Sequence, residues 1–214
     1  LASFAEQDRF FERPTALAGA VRGGTRLDAA NASVFVVAAP VRPLSSMPPV
    51  FWVQVFAGAA GFLIAAWVWA AKAGDAGARL LALSGFGLMM SAHAAAVYST
   101  RELAIDGVLF GVLSVLNHLG ATIFGVAMVG LFLCYPKPLA SRRVLAAVMF
   151  VLSTAPLFQL AREVLTPVTS FYPFVALNMA LILAFIVWQS LANRRDPRSL
   201  AALRWLGLTV AVGA

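Results

Sequence analysis

Charge is scarce in this chain. Only 12% of its 214 residues are Asp, Glu, Lys or Arg, while 61% are hydrophobic and mean hydropathy is +0.86. Soluble domains carry about 25% charged residues, so a water-facing surface over most of the chain is excluded. Cysteine is nearly absent: Cys134 stands alone, which leaves no internal disulfide and no CxxC metal pattern. The chain has no Walker A loop, no GxSxG, no HExxH and no pair of carboxylates inside an apolar run. No catalytic set is therefore named, and no cofactor or metal is expected. His93 and His118, the only two histidines, are of the right type to ligate haem or a metal. They lie on different apolar runs, without a carboxylate or third ligand to complete a site. The net charge of +7 does not point to nucleic acid either. The basic residues sit in short loops, with no basic face and no aromatic platform between them.

What the chain has instead is a rhythm. Apolar runs of membrane-spanning length alternate with short polar loops from Val50 onward. The expected fold class is all-α, a polytopic transmembrane helix bundle of about six spans. The runs cover about 50–71, 80–98, 107–135, 144–161, 171–192 and 200–214, the last one cut off by the end of the chain. Trp52 near the start of the first run and Trp67 and Trp69 near its end suit an interfacial aromatic belt. The third run is long enough to require tilt or protrusion. Cys134-Tyr135-Pro136 closes it, with Tyr135 as interface anchor and Pro136 as helix stop. Cys134 is read as a packed or lipid-facing thiol in preference to an acylation site.

The loops also alternate in charge. Those after the first, third and fifth runs, with adjoining ends, hold Lys72, Arg79, Lys137, Arg142, Arg143, Arg194, Arg195, Arg198 and Arg204 against Asp75 and Asp196. Those after the second and fourth hold Arg101 and Arg162 against Glu102, Asp106 and Glu163. The positive-inside rule puts the first set in the cytoplasm and residues 1–49 outside. An extracytoplasmic start requires a signal peptide or upstream anchor, so the chain is expected to be part of a longer protein.

Residues 1–49 read as the end of a small extracytoplasmic domain. A short helix is expected over Ser3–Phe11 and a second from Pro14 through Val21, stopped by Gly23-Gly24. Val34–Val37 reads as a strand, and Pro40, Pro43, Pro48 and Pro49 keep the approach to the membrane extended. Asn31-Ala32-Ser33 matches a glycosylation sequon, a pattern that often occurs by chance.

Polar groups within the spans are costly in lipid and turn toward neighbouring helices. They are Gln54, Ser91, His93, Ser114, Asn117, His118, Gln159 and Asn178 in the outer half or near the midplane, and chiefly Ser84 and Gln189 in the inner half. Asn117 and His118 lie roughly 15–17 Å below the outer end of their span at 1.5 Å per residue. Gln54, His93, Asn117, His118 and Asn178 are the candidates for sensing or helix coupling, as an outward pocket or a polar network. The plainer reading is that each bonds a neighbour and holds the bundle together, at about 0.6 kcal/mol per bond. Gly58 and Gly61, Gly85 and Gly87, and Gly120, Gly125 and Gly130 suit close helix approach, although their spacing is not GxxxG.

Several stretches carry a resemblance. Phe51-Trp52-Val53-Gln54 runs through Ala65-Ala66-Trp67-Val68-Trp69-Ala70, then Ala78-Arg79-Leu80-Leu81-Ala82-Leu83-Ser84-Gly85. Later come Ala96-Val97-Tyr98-Ser99-Thr100-Arg101-Glu102-Leu103, Leu116-Asn117-His118-Leu119-Gly120 and Leu131-Phe132-Leu133-Cys134-Tyr135-Pro136. This pattern, strongest over residues 50–143, resembles the multi-span N-terminal sensor region of bacterial membrane histidine kinases. In such proteins a small extracytoplasmic segment, PDZ-like in some, precedes a span. Residues 1–49 would be the end of one, without a carboxylate-binding loop of that kind. The resemblance implies an input region in the bacterial inner membrane, a small-molecule or peptide signal, and a homodimer. The phosphoacceptor helix and ATP-binding boxes of such kinases are not in this chain. The alternative is a component of a membrane transporter or channel, which would favour inverted repeats, broken helices or charges within spans.

Overall fold

The computed structural model describes residues 4–29, 32–37, 43–100, 103, 105–162 and 171–213. Asn31, Arg101, Glu102 and Glu163, and the side chain of Gln159, lie outside the described residues. The elements run α1 (Phe4–Gly23), β1 (Thr25–Ala29), β2 (Ala32–Val36), α2 (Pro49–Ala71), α3 (Ala76–Ser99), α4 (Gly107–Cys134), α5 (Arg142–Arg162), α6 (Phe171–Ala192) and α7 (Pro197–Gly213). The fold is helical. Four helices are long and apolar enough to cross a membrane: α2, α3, α4 and α6, of 23, 24, 28 and 22 residues. This is a membrane protein, with fewer such helices among the described residues than the six spans expected from sequence. The remaining two differ in build. α5 carries arginines at both ends and Pro156 inside, and α7 has 17 residues, about 26 Å at 1.5 Å per residue.

Several helices begin where local chemistry answers free backbone N–H groups. Pro49 occupies the first turn of α2, where a missing N–H costs nothing. Asp75 caps α3 by accepting from the Ala78 amide at 2.8 Å, and Asp106 caps α4 by accepting from Leu109 at 2.8 Å. Ser141 Oγ accepts from Val144 at the start of α5. The acidic residues at 75 and 106, expected only as loop charges, are therefore helix caps.

α2, α3 and α4 form an antiparallel layer. Lipid offers no hydrophobic drive for helices to associate, so close van der Waals approach must supply it. Small residues allow that approach. A Cβ at Gly85 would stand 2.6 Å from Ala65 Cβ, and one at Gly61 2.8 Å from Leu88 Cδ2. On the other side of α3, a Cβ at Gly87 would stand 2.6 Å from the Phe124 amide nitrogen.

α6 packs against α4 and runs parallel to it. His118 meets Phe171, Gly125 meets Asn178 further along, and the Phe132 carbonyl meets Gln189 beyond that. The packed core lies toward the C-terminal half of α4. Leu80, Val129, Leu131, Phe132, Leu133, Ile182 and Leu203 are buried there together. The opposite half of α4 exposes Val108, Leu109, Val112 and Val115.

The segment before α2 departs from expectation. The two short helices expected on either side of Pro14 are a single helix, α1, with Pro14 inside it. The expected strand at Val34–Val37 is β2, and it has an antiparallel partner, β1. α1 is seated on the start of α4. The Gly107 amide donates to Thr15 Oγ1 at 2.9 Å, Arg22 pairs with Asp106 at 3.7 Å, and Phe10 packs edge-on against Phe110.

Candidate helix-coupling site

The five candidate residues occupy three different helix interfaces. Gln54 and His93 belong to the α2–α3 seam. His93 Nδ1 donates to the Met89 carbonyl one turn back, at 2.7 Å. A carbonyl only accepts, so Nδ1 is the donor in this contact. The ring lies against Gly58, where a Cβ would stand 3.0 Å from Nδ1. Gln54 precedes Gly58 by four residues, on the same face of α2. Its Oε1 is buried and has no hydrogen-bond donor.

Asn117 bridges α3 and α4. Its Nδ2 donates to the Ser91 carbonyl at 3.1 Å, beside the place where Gly120 comes closest to Ser91. Among the described residues, Asn117 makes the one hydrogen bond of the five that crosses between helices.

His118 and Asn178 belong to the α4–α6 seam. His118 Nδ1 donates to the Ser114 carbonyl at 2.7 Å, and its ring meets Phe171 edge-on with centroids 4.6 Å apart. One turn on, Thr122 is buried and donates to the His118 carbonyl. Asn178 is 3% exposed and rests on Gly125, where a Cβ would stand 3.3 Å from its Cγ. Its Nδ2 donates to the Phe174 carbonyl at 2.9 Å, while its Oδ1 has no donor. A buried acceptor left unpaired costs on the order of 1–3 kcal/mol. The two histidines thus face different neighbours, His93 toward α2 and His118 toward α6. Among the described residues, no three His, Cys, Asp or Glu side chains gather closely enough to hold a metal ion.

A second polar cluster, at the other end of the bundle, was not among the candidates. Gln189 is fully buried. Its Nε2 donates to the Phe132 carbonyl at 2.9 Å and to the Lys137 carbonyl at 2.7 Å. Its Oε1 accepts from Asn193 Nδ2 at 2.9 Å, and that same amide reaches the Gln189 carbonyl. Gln189 therefore grips the turn that ends α4 from within α6. Lys137 in that turn pairs with Asp196 at 3.4 Å. Asp196 also accepts from the Ser199 hydroxyl at 2.8 Å and from the amides of Arg198 and Ser199. The hydroxyl and amide of Ser199, followed by Lys137, hold the Asp196 carboxyl below its ordinary range. The sequence signal for this cluster is Gln189 itself, a lone amide in an otherwise apolar stretch.

No family model matches the chain, and no curated protein or solved structure matches it.

Proposed function

We propose that this chain is the membrane-embedded input region of a bacterial signalling protein, of the two-component sensor histidine kinase type. The kinase core of such a protein would lie outside these residues. The observation that carries the reading is the contrast between the two kinds of helix seam. α2, α3 and α4 meet through glycines at backbone distance, which leaves little room for sliding. α6 is seated on α4 by side chains, with an unpaired Asn178 acceptor partway along and the Gln189 grip at one end. A rigid layer with one side-chain-docked helix suits a device with two packings. A signal shifts such a device only by binding one packing better than the other. Moving α6 on α4 would be felt at the Lys137 turn and, through Asp196, at the start of α7.

The reading includes six crossings, with residues 1–49 outside and the arginine-rich loops in the cytoplasm of the inner membrane. The parallel run of α4 and α6 supports the crossing by α5. The chain leaves α4 at the Gln189 end and begins α6 at the His118 end, so it must travel back between them. The 21 residues of α5 reach about 31 Å, which matches that return. The homodimer and the small-molecule or peptide signal rest on the resemblance.

Alanine replacement of Gln54, His93, Asn117, His118, Asn178 and Gln189 in the full-length protein tests the reading. ATP-dependent phosphorylation is measured in membranes. Changed output at Asn178 and Gln189, with expression intact, is expected. Unchanged output at all six positions, or no phosphorylation by the intact protein, defeats the proposal.

A further inference from the structure

The β1–β2 hairpin has two unlike faces. Its register pairs Thr25 with Val36, Arg26 with Phe35, Leu27 with Val34, Asp28 with Ser33 and Ala29 with Ala32. Side chains alternate along a strand, so Val34 and Val36 share one face with Ala32, while Arg26, Asp28, Ser33 and Phe35 share the other. The polar face is internally satisfied. Arg26 pairs with Asp28 at 3.3 Å and its Nε donates to Ser33 Oγ. Phe35, on this same face, lies over Gly24, whose φ of 72° turns the chain from α1 into β1, and is itself 65% exposed. On the apolar face, Val34 is 57% exposed and Val36 43%. A lone two-stranded sheet is marginal in water, so an uncovered apolar face calls for a cover.

We propose that this cover is the lipid bilayer, and that the hairpin is a membrane-interface anchor whose Val34–Val36 face dips into the surface beside α2 and α4. Two fixed points place it there. Before the hairpin, Arg22 is paired to Asp106, the cap of α4, so α1 ends at the level where that membrane helix begins. After it, the chain returns to Pro49, the start of α2. α2 and α4 begin at the same end of the bundle, because α3 runs antiparallel to both. Apolar side chains are exposed from their first turns, Val50 on α2 and Val108 on α4, so hydrocarbon lies at this level. β1 extends about 17 Å at 3.3 Å per residue, which bounds how far the hairpin can reach from that plane. A segment that leaves from and returns to the bilayer surface, with Val34 and Val36 on one face and the Arg26–Asp28–Ser33 pairing beside Phe35 on the other, suits the interface.

Spin-labelled single-cysteine variants test this in the intact chain, with Cys134→Ala as background. Val34→Cys and Val36→Cys report the apolar face and Ser33→Cys the polar face. The protein is reconstituted into phosphatidylethanolamine–phosphatidylglycerol vesicles. Collision with oxygen, which partitions into lipid, is compared with collision with a water-soluble nickel chelate. The apolar-face labels should favour oxygen over the chelate clearly more than the Ser33→Cys label does, because oxygen partitions into lipid and the chelate does not. Equal access of the chelate to both faces overturns the proposal, because the hairpin then stands in water. Shielding of the Val34→Cys and Val36→Cys labels from both reagents also overturns it, because protein then covers the face. The Val36→Cys variant keeps the test decisive should a label at 34 disturb the strands.

Discussion

Gly87 and Gly120 face each other across the α3–α4 seam so closely that a Cβ on either would lie 2.7 Å from the carbonyl oxygen of the other. The obstacle is backbone on both sides, so no side chain can turn away to make room. Gly87→Ala and Gly120→Ala should each destabilise the bundle by about 1–3 kcal/mol, the range for overpacking. Gly111, with nothing within 4 Å of its Cβ position, provides the contrast. Gly111→Ala should be neutral or stabilising by up to about 1 kcal/mol, from helix propensity alone. Denaturant unfolding in detergent micelles measures all three; equal effects at 87 and 111 would show that the seam is looser than the geometry indicates.

Gln189 and Asn117 both bridge elements by amide-to-carbonyl bonds, yet they should differ in consequence. Gln189→Leu strips donors from the Phe132 and Lys137 carbonyls and the acceptor from Asn193, in a fully buried place. A loss of about 1–3 kcal/mol per stranded buried group is the expected scale. Asn117→Ala removes one bond to Ser91, for which about 0.6 kcal/mol is the usual value between membrane helices. The same unfolding measurement ranks the two, and a larger loss at Asn117 would contradict the assignment of Gln189 as the principal clamp.

Acid should loosen the turn between α6 and α7. The Asp196 carboxyl is held below its ordinary value of 3.8 first by the Ser199 hydroxyl, then by the Ser199 amide, with Lys137 adding to them. A carboxyl whose folded-state pKa is depressed contributes stability above its unfolded value and loses it as pH falls through the folded one. The loss therefore begins below about pH 4 and deepens further into acid. Asp196→Asn should flatten this part of the stability–pH curve, and Ser199→Ala should move the titration of Asp196 back up. Carboxyl titration followed by NMR in micelles reads both shifts. An Asp196 that titrates at its ordinary value in the unaltered protein would contradict the capping role.

Reporter fusions test the return path of α5. Fusions within 137–140 and within 193–196 should report the cytoplasmic side, and a fusion within 164–169 the opposite side. Matching reports from the first and last of these sites follow from the parallel run of α4 and α6. A fusion between α5 and α6 that reports the same side as the one after α4 would mean that α5 turns back without crossing.

Much of the fold was legible without coordinates. Apolar run length and loop composition place α2, α4 and α6 within a residue or two of their observed limits, because in lipid a helix must satisfy its backbone internally and be long enough to cross. The glycines of α2, α3 and α4 were likewise readable as points of close approach. The single helix across Pro14 was not, since a proline in that position reads as a start, and contact of α1 with α4 overrides that local signal. The partner strand β1 was hidden for a related reason: Thr-Arg-Leu-Asp-Ala has little strand signal until Ala32–Val36 pairs with it.

Sequence alone determined that this is a membrane protein, that the segments of α2, α3, α4 and α6 are apolar enough to cross, and that its few intramembrane polar residues are worth counting. These follow from composition along the chain, which needs no partner to be evaluated. Only the tertiary structure decided how those residues are shared out. Gln54 and His93 go to one seam, Asn117 to a second, and His118 and Asn178 to a third. Gln189, in the same helix as Asn178, becomes the clamp on the turn after α4. The physical reason is that a side chain's partner depends on the rotation and offset of two packed helices. Here these are set by backbone contacts such as Gly87 on Gly120, and no spacing within a single helix encodes them.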